Sequence, residues 1–356
     1  MASIPKTIRA AQWDPTQQKV VVNTIPTPTP SPNQLLIKLA SASLCHSDLM
    51  AIAQPDLTHP FTLGHEGAGY IAALGSDIPH KKLGFAVGDP VGFLYINGCC
   101  FECEGCAVHN MHCSRGTPVV AGFGHGGVKG DFGFFQEFAA VDWQNVVKLP
   151  AELDPRRSSA VFCAGITAFH AVDSCTLKPN QWLAVVGAGG LGQLAVQYAK
   201  AMGFKVVALD INDKALDACK SQGADVTLNT LTNSSVYVSE IKSLTDGGVH
   251  AAAVFSGSPA AYKSAPPIIR PGGVLMVVGI SPKPLELSSF DLAIGSFGVR
   301  ADSTGTPARM GKAVRFTAEH GIVPQIEVRE GLESVAEMVG EMSRGESNRR
   351  MAVVFE

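Results

Sequence analysis

Four cysteines stand close enough in the sequence to bind one metal ion together. Cys100, Cys103 and Cys106 are separated by two residues each, and Cys113 follows soon after them. Four thiolates at such short spacings can complete the tetrahedral shell of a structural zinc ion within one loop. A set of free thiols is the alternative, and Cys99 could replace Cys100 if the register shifted by one residue. We predict a zinc site in this loop.

A second set of candidate ligands is dispersed along the chain. Cys45 opens the run Cys45-His46-Ser47-Asp48, His65 precedes Glu66, and Cys163 follows much later. Each residue alone is better explained as a buried cysteine or a core histidine. Together they form a Cys/His/Cys set, which in catalytic zinc sites leaves a fourth coordination position open. Asp48 could hold the second ring nitrogen of His65.

A glycine-rich turn follows a short apolar run, Leu183–Val186. Gly187, Gly189 and Gly192 form a G-x-G-x-x-G pattern, a helical periodicity follows, and a second apolar run ends at Asp210. This order is typical of a dinucleotide site: the pyrophosphate lies at the helix N-terminus and the carboxylate binds the adenosine ribose. A glycine turn that binds no ligand is the alternative.

The candidate residues lie in two regions whose sequence patterns predict different secondary structure. From Thr7 to about Leu149, short apolar runs such as Gln34–Leu39 are separated by glycine and proline turns, which favours β-structure. From about Ala160, strand-like runs alternate with helical periodicity, which predicts an α/β fold with a doubly wound parallel sheet. The strand-like runs are Val206–Leu209, Val226–Leu228, Ala251–Phe255 and Val274–Val278. A helical stretch from Met310 to His320 leads to short strands and the apolar end Met351–Phe355.

Composition narrows the class of protein. The chain has 356 residues, of which 46% are hydrophobic and 17% charged, so we expect two domains with large cores. A net charge of −3 gives no reason to expect nucleic acid or an anionic membrane as partner. The chain starts without an apolar signal segment and has no apolar run of membrane-spanning length. Nine cysteines in such a chain favour metal-bound thiolates in a reducing, cytoplasmic compartment.

The sequence resembles the zinc-dependent medium-chain alcohol dehydrogenases, and most of all the yeast alcohol dehydrogenase type. The shared motifs extend over nearly the whole chain and include Gly64-His65-Glu66-Gly67-Ala68-Gly69, Gly88-Asp89, Asn97-Gly98, Cys103-Glu104-x-Cys106, Cys163-Ala164-Gly165-Ile166-Thr167, Leu194–Gly203, Thr245-Asp246-Gly247-Gly248 and Arg300-Ala301-Asp302.

The resemblance implies a role for each candidate residue. Cys45, His65 and Cys163 would hold a catalytic zinc ion, with Glu66 as an occasional alternative ligand. Ser47 would hydrogen-bond the alcohol oxygen, and Asp48 would support His65. A structural zinc ion would be held by Cys100, Cys103, Cys106 and Cys113. Cofactor contacts would come from His46, Thr167, Gly187, Gly189, Gly190, Leu191, Gly192, Asp210, Lys214, the backbone after Val278 and Arg350, with Arg349 as a register neighbour.

The resemblance also implies an architecture and an activity. A GroES-like β-rich catalytic domain, residues 1–162 and 300–356, would enclose a Rossmann domain at 163–299, and the protein would form a homodimer or homotetramer. It would transfer a hydride between a primary or secondary alcohol, or the matching aldehyde or ketone, and a nicotinamide cofactor. The carboxylate of Asp210, which would repel the 2′-phosphate of NADP, predicts NAD as that cofactor. Two alternatives are a zinc-independent enoyl or quinone reductase on the same fold and a non-enzymatic protein that retains it. Both would tolerate the loss of ligands that this chain retains.

The chain departs from the family pattern in three places. Met50 stands where a histidine commonly passes the proton to solvent. The segment between Cys45 and His65 is shorter than in the yeast enzyme, and it lines the substrate pocket in the family. The resemblance therefore does not carry ethanol over as the substrate. The interval from Cys106 to Cys113 is also one residue shorter than usual.

Overall fold

The computed structural model describes residues 4–124, 132–347 and 349–356. The chain divides into two compact units. The first comprises Met1–Cys163, Thr306–Glu319 and Pro324–Glu356, and the second comprises Ala164–Gly305 and His320–Val323. None of the helices within the described ranges combines the length and apolarity that a membrane crossing needs.

The first unit is built mainly from strands. Its strands before Cys163 are β1 (Thr7–Asp14), β2 (Lys19–Pro26), β3 (Gln34–Ser43), β4 (Phe61–Thr62), β5 (Glu66–Leu74), β6 (Pro90–Phe93), β7 (Ile96–Asn97), β8 (Val119–Val120), β9 (Phe138–Asp142) and β10 (Val146–Lys148). Its helices in this part are α1 (His46–Ile52), α2 (His80–Leu83) and α3 (Glu104–Val108). The predicted strand at Gln34–Leu39 is confirmed and continues to Ser43. Apolar and small side chains on both of its faces suit its central position.

The second unit has the predicted α/β fold. Its elements are α4 (Ala164–Asp173), β11 (Trp182–Val186), α5 (Gly190–Ala201), β12 (Lys205–Asp210), α6 (Asp213–Ser221), β13 (Val226–Asn229), α7 (Tyr237–Leu244), β14 (Val249–Val254), α8 (Pro259–Ser264), β15 (Ile269–Val277), α9 (Ser289–Ala293) and β16 (Phe297–Ala301). The strands form one parallel sheet in the order β13-β12-β11-β14-β15-β16. Strand order reverses between β11 and β14, where doubly wound sheets bind their ligands.

The end of the chain returns to the first unit through α10 (Pro307–Glu319), β17 (Ile326–Glu330), α11 (Val335–Ser343) and β18 (Arg350–Val354). β18 pairs antiparallel with β3, so that Ala352 lies opposite Ser43. The larger sheet of this unit follows the order β10-β6-β5-β3-β18-β17, with β9 also paired to β3. The C-terminal strand therefore lies beside the strand that leads to Cys45.

The predicted return to the first domain at residue 300 falls inside a strand. β16 continues the parallel sheet to Ala301, and Thr304 donates its backbone N–H to the Thr167 hydroxyl at 3.0 Å. Both contacts lie within the second unit, whose main segment extends to Gly305.

Candidate metal centres and glycine turn

The dispersed ligands converge because β3 and β5 are paired. Ser43 at the end of β3 lies opposite Glu66 at the start of β5, which brings Cys45 close to His65. Cys163 follows the 3-10 helix Ser159–Phe162, which packs on the same two strands. One ligand atom from each of Cys45, His65, Glu66 and Cys163 lies within 4.8 Å of all the others. The donor set and its compactness fit a zinc ion.

One buried carboxylate holds two of these ligands. Asp48 Oδ1 lies 3.1 Å from His65 Nδ1 and accepts the Gly64 N–H at 3.2 Å, while Oδ2 accepts the Cys45 N–H at 2.8 Å. Burial lowers the pKa of His65, but the charge and hydrogen bond of Asp48 outweigh it and raise this pKa well above its ordinary value. Because Nδ1 faces Asp48, Nε2 is the ring nitrogen available to a metal.

We expect Asp48→Asn to weaken zinc binding at this site by about 10–100-fold, the usual effect of losing a partner behind a metal ligand. The amide cannot accept at both positions, so its NH₂ group would face either the His65 ring or the Cys45 N–H. Competition with a chromophoric chelator measures the affinity. Asp154→Asn, at an exposed loop carboxylate of the same unit, is the matched control. Equal affinity in all three proteins would contradict this role of Asp48.

The two thiols of this group are coupled. The Cys163 thiol donates a hydrogen bond to Cys45 and, together with the charge of Arg350, lowers the pKa of Cys45 well below its ordinary value. The same hydrogen bond and burial raise the pKa of Cys163. One sulfur is therefore readily available as a thiolate, the form in which cysteine binds zinc.

Glu66 is the fourth member of the group. Ser43 donates to its Oε2, whereas Oε1 has no hydrogen-bond partner among the described residues and lies 3.6 Å from Arg350 Nη2. Burial raises the pKa of Glu66 to about 7, with Arg350 acting against this rise. An oxygen with no hydrogen bond beside the three ligands fits the predicted role of an occasional alternative ligand.

Arg350 lies in the interior of the first unit. Its Nη1 donates to the Leu44 carbonyl at 3.1 Å, and its side chain is 11% exposed. The residue thus supports the backbone before Cys45 and the Glu66 carboxylate, two contacts that the sequence did not predict. Its contact with cofactor phosphates stays a prediction, as does that of the exposed His46; Arg349 is exposed.

The four clustered cysteines have the geometry of a zinc site. A tetrahedron with zinc–sulfur bonds of about 2.3 Å has sulfur–sulfur edges of about 3.8 Å. The Cys100 sulfur lies 3.9 Å from that of Cys106 and 3.6 Å from that of Cys113. The short interval before Cys113 is accommodated by α3 and a single 3-10 turn, Asn110–His112.

Backbone amides of this loop point at the sulfurs. Cys113 Sγ accepts the N–H of Cys100 at 3.3 Å and that of Gly116 at 3.2 Å. These bonds, first that of Cys100, lower the pKa of Cys113 to about 7. Cys99 Sγ instead faces the Asn110 carbonyl at 3.4 Å, and burial raises its pKa to about 12. The ligand set therefore contains Cys100, not Cys99.

Aromatic rings cover one side of His65. The Tyr95 ring meets it edge-on with 5.1 Å between centroids, and the Phe123 ring lies at 5.9 Å. Phe123 could not be expected from the sequence, because no spacing relates it to His65. In the loop before His65, Phe61 belongs to the buried core, Leu57 packs against this core, and His59 is exposed. Met50 is 41% exposed.

The glycine turn joins β11 to α5. Gly187 has a φ of +98°, and a Cβ on Gly192 would lie 1.9 Å from the Gly187 carbonyl oxygen. Gly189 caps α5, so Gly190, Leu191 and Gly192 form its first turn, where backbone N–H groups have no helical partner. Asp210 ends the neighbouring strand β12. The arrangement suits a pyrophosphate at the helix N-terminus.

The remaining cofactor candidates lie at several places in the second unit. Thr167 is buried, and its hydroxyl accepts the Thr304 N–H. After Val278, the Gly279 N–H donates to Val254 and its carbonyl accepts the Tyr262 hydroxyl at 2.5 Å. Lys214 is exposed in the first turn of α6. Their contacts with a cofactor stay predictions.

Known proteins resemble this chain over its whole length. Residues 190–319 match the zinc-binding dehydrogenases and residues 31–151 the alcohol dehydrogenase GroES-like domain. An alcohol dehydrogenase from Geobacillus stearothermophilus is 33% identical over 352 residues, which cover 97% of this chain and 99% of the relative. The crystal structure of an alcohol dehydrogenase from Aeropyrum pernix has a TM-score of 0.84 at 25% identity, covering 98% of this chain and 100% of that one. An acetophenone reductase from Geotrichum candidum, solved with NAD, shares the fold with a TM-score of 0.83 at 23% identity, covering 99% of each chain.

Proposed function

The chain belongs to the zinc-dependent medium-chain alcohol dehydrogenase family and is a zinc-dependent alcohol dehydrogenase; we propose that it transfers a hydride between a primary or secondary alcohol and NAD, in either direction. The observation that supports this reaction most directly is the compact group of Cys45, His65 and Cys163. These are three zinc ligands of the kind that leaves one coordination position for substrate. The zinc-independent and non-enzymatic alternatives have no use for this group.

We assign the roles at the catalytic site as follows. Cys45, His65 and Cys163 hold the zinc ion, which when bound supplies a Lewis acid that lowers the pKa of the alcohol. The Ser47 hydroxyl, 3.9 Å from Cys45 Sγ, hydrogen-bonds the alcohol oxygen and takes up its proton. Asp48 keeps His65 oriented, and the Tyr95 and Phe123 rings keep water from this side of the site and favour apolar substrates. A bound nicotinamide dinucleotide would supply the hydride acceptor.

The absorbance of reduced nicotinamide tests the reaction. A panel of aliphatic, allylic and aromatic alcohols, and the matching aldehydes and ketones, should identify at least one substrate pair. Activity should be lost when a strong chelator removes zinc and should return when zinc is added. Turnover that persists in zinc-free protein would support the zinc-independent reductase instead.

We predict that the protein prefers NAD to NADP. The carboxylate of Asp210 accepts hydrogen bonds from ribose hydroxyls and repels a 2′-phosphate; Lys205 and Lys214 nearby in the sequence reduce this repulsion only in part. Catalytic efficiency with each cofactor measures the preference, and Asp210→Gly should narrow it. Equal or better efficiency of the unmodified protein with NADP would contradict the prediction.

We predict that the proton leaves through water that reaches the cofactor ribose, because the Met50 thioether cannot carry a proton. His59 would have to fold back from an exposed loop position before Pro60, whose ring restricts that backbone. Met50→His should therefore raise alcohol oxidation near neutral pH, by up to about two powers of ten, the lower end of general acid–base catalysis. His59→Ala should change it little.

The pH dependence of turnover in both variants and the parent measures this route. Zinc content provides the control, since either substitution lies close to Cys45 or His65 in sequence. If His59→Ala removes an ionisation near neutral pH while both zinc ions are retained, His59 is the relay and the water route is wrong.

We also propose that the protein is an oligomer in the cytoplasm. We infer a homodimer or homotetramer, supported by β16, which ends the parallel sheet with exposed residues. Val299 in this strand and Phe290 and Ile294 in and just after α9 are exposed apolar side chains. Exposed sheet edges of this kind favour pairing with another strand. A cytoplasmic location is supported by the nine cysteines, all of them free of disulfides. Light scattering would give the number of subunits.

A further inference from the structure

The peptide groups of Ala188, the middle residue of Gly187-Ala188-Gly189, are held from both sides by side chains. The Ala188 N–H donates to Asp210 Oδ2 at 2.6 Å. The Ala188 carbonyl accepts from Gln193 Nε2 at 3.0 Å. Ala188 and Gln193 are both buried. The N–H and the carbonyl of this residue are thus paired with side chains that lie outside the turn.

Gln193 is itself fixed in place. Its backbone N–H donates to the Gly189 carbonyl at 2.9 Å, and its Oε1 accepts from Gln222 Nε2 at 3.3 Å. The carboxamide therefore cannot rotate away from Ala188 without losing its bond to the end of α6. Gln193 lies directly after Gly192, the last glycine of the turn, and links the turn to the helix that follows.

Both carboxylate oxygens of Asp210 also accept hydrogen bonds from the backbone. Its Oδ1 accepts the N–H groups of Ile211 at 2.7 Å and Asn212 at 3.0 Å, in addition to the bond from Oδ2 to Ala188. A residue acting on the ribose alone would need none of these bonds. The carboxylate thus joins the glycine turn to the loop after β12 and leaves its remaining lone pairs for a ribose.

We propose that Gln193 and Asp210 are positioning residues that preform the phosphate-binding turn by holding the two polar groups of Ala188. This inference rests on the proposed use of a nicotinamide dinucleotide. A preformed turn presents its N–H groups to the pyrophosphate without first paying the entropy of ordering them. The two side chains therefore contribute to the affinity for the phosphate part of any such cofactor, whatever its ribose carries.

The test compares two probes, ADP and 2′,3′-dideoxy-ADP, which share the diphosphate but differ in the ribose hydroxyls. Gln193→Met keeps the length of the side chain and removes the donor to Ala188. Isothermal titration should show that this variant binds both probes about ten-fold more weakly, the usual size for a buried group that loses its partner. In turnover, KM for NAD should rise by a similar factor with little change in kcat.

Gln181→Met is the matched control. Gln181 lies just before β11, and its side-chain oxygen accepts the Lys178 N–H at 2.9 Å, away from the glycine turn and from Gln222. The control should bind both probes as the parent does. If Gln193→Met also binds both probes as the parent does, Gln193 does not position the turn and the inference is wrong.

Asp210→Asn tests independently whether Asp210 holds the glycine turn, and this test remains available if Gln193→Met fails to fold. The amide cannot replace both carboxylate oxygens, so affinity for the dideoxy probe should fall as well as affinity for ADP. A loss confined to ADP would mean that Asp210 acts on the ribose alone and would overturn its role in the turn. If the unmodified protein binds neither NAD nor NADP, the proposed function fails; unchanged dideoxy-ADP binding in the variants of a protein that binds NAD rejects only the present inference.

Discussion

The Cys45→Ala protein should retain one zinc ion per chain instead of two and should lose alcohol oxidation by at least about three powers of ten. The thiolate of Cys45 is stabilised by Cys163 first and then by the charge of Arg350, whereas the pKa of Cys163 is raised. Removal of Cys45 leaves His65, Cys163 and a Glu66 carboxylate that Ser43 and Arg350 already hold, so the site loses one of its two thiolates. Without the metal, none of the residues proposed for this site would lower the pKa of the alcohol before hydride transfer.

Elemental analysis of protein purified without chelator, together with turnover of the best alcohol found, measures both effects. Cys175→Ala is the matched control, because Cys175 is buried in the second unit and faces the Ala171 carbonyl at 3.2 Å, outside both metal groups. This control should keep both zinc ions and full activity. A parent protein with a single zinc ion that Cys45→Ala also retains would show that this group is not a zinc site.

The sequence predicted the parts of the sites that depend on residue type and short spacing. Four cysteines within one loop and a glycine pattern between two apolar runs restrict the possible local structures strongly, and the structure has both features where they were expected. The parallel sheet followed from the alternation of strand-like and helical runs. The helix expected at Met310–His320 runs from Pro307 to Glu319, an ordinary difference at helix ends.

The contacts that sequence reasoning missed are those that depend on pairing between distant segments. Ser43 reaches Glu66 only because of the register of β3 with β5, and Arg350 reaches Leu44 only because β18 joins the same sheet. Gln193 lies in the helical periodicity that follows the glycine pattern, and this position does not reveal that its amide turns back to Ala188. Local signals can indicate such residues only after the topology is known.

The structural zinc site should be indispensable for the loop that carries it. The buried core of this loop consists of Ile96, Val120 and three cysteines, Cys99, Cys103 and Cys106, so it has little apolar surface that could replace the metal. Zinc binding to small sites of four ligands contributes about 10–16 kcal/mol to folding, as much as the whole stability of an ordinary domain. Cys103→Ala should therefore leave one zinc ion per chain and a loop that is unfolded rather than loosened.

Limited proteolysis with identification of the cut sites, combined with zinc analysis, measures this effect. Cys103→Ala should be cleaved between Gly98 and Gly116 under conditions in which the parent stays intact, because an unfolded loop exposes its backbone to the protease. Cys99→Ala is the sharpest control, since Cys99 is the immediate neighbour of a ligand but faces Asn110 rather than the other sulfurs. It should keep both zinc ions and resist cleavage. If Cys99→Ala loses a zinc ion, the ligand set assigned to this loop is wrong and Cys99 takes the place of Cys100. If Cys103→Ala keeps both zinc ions, Cys103 is not a ligand.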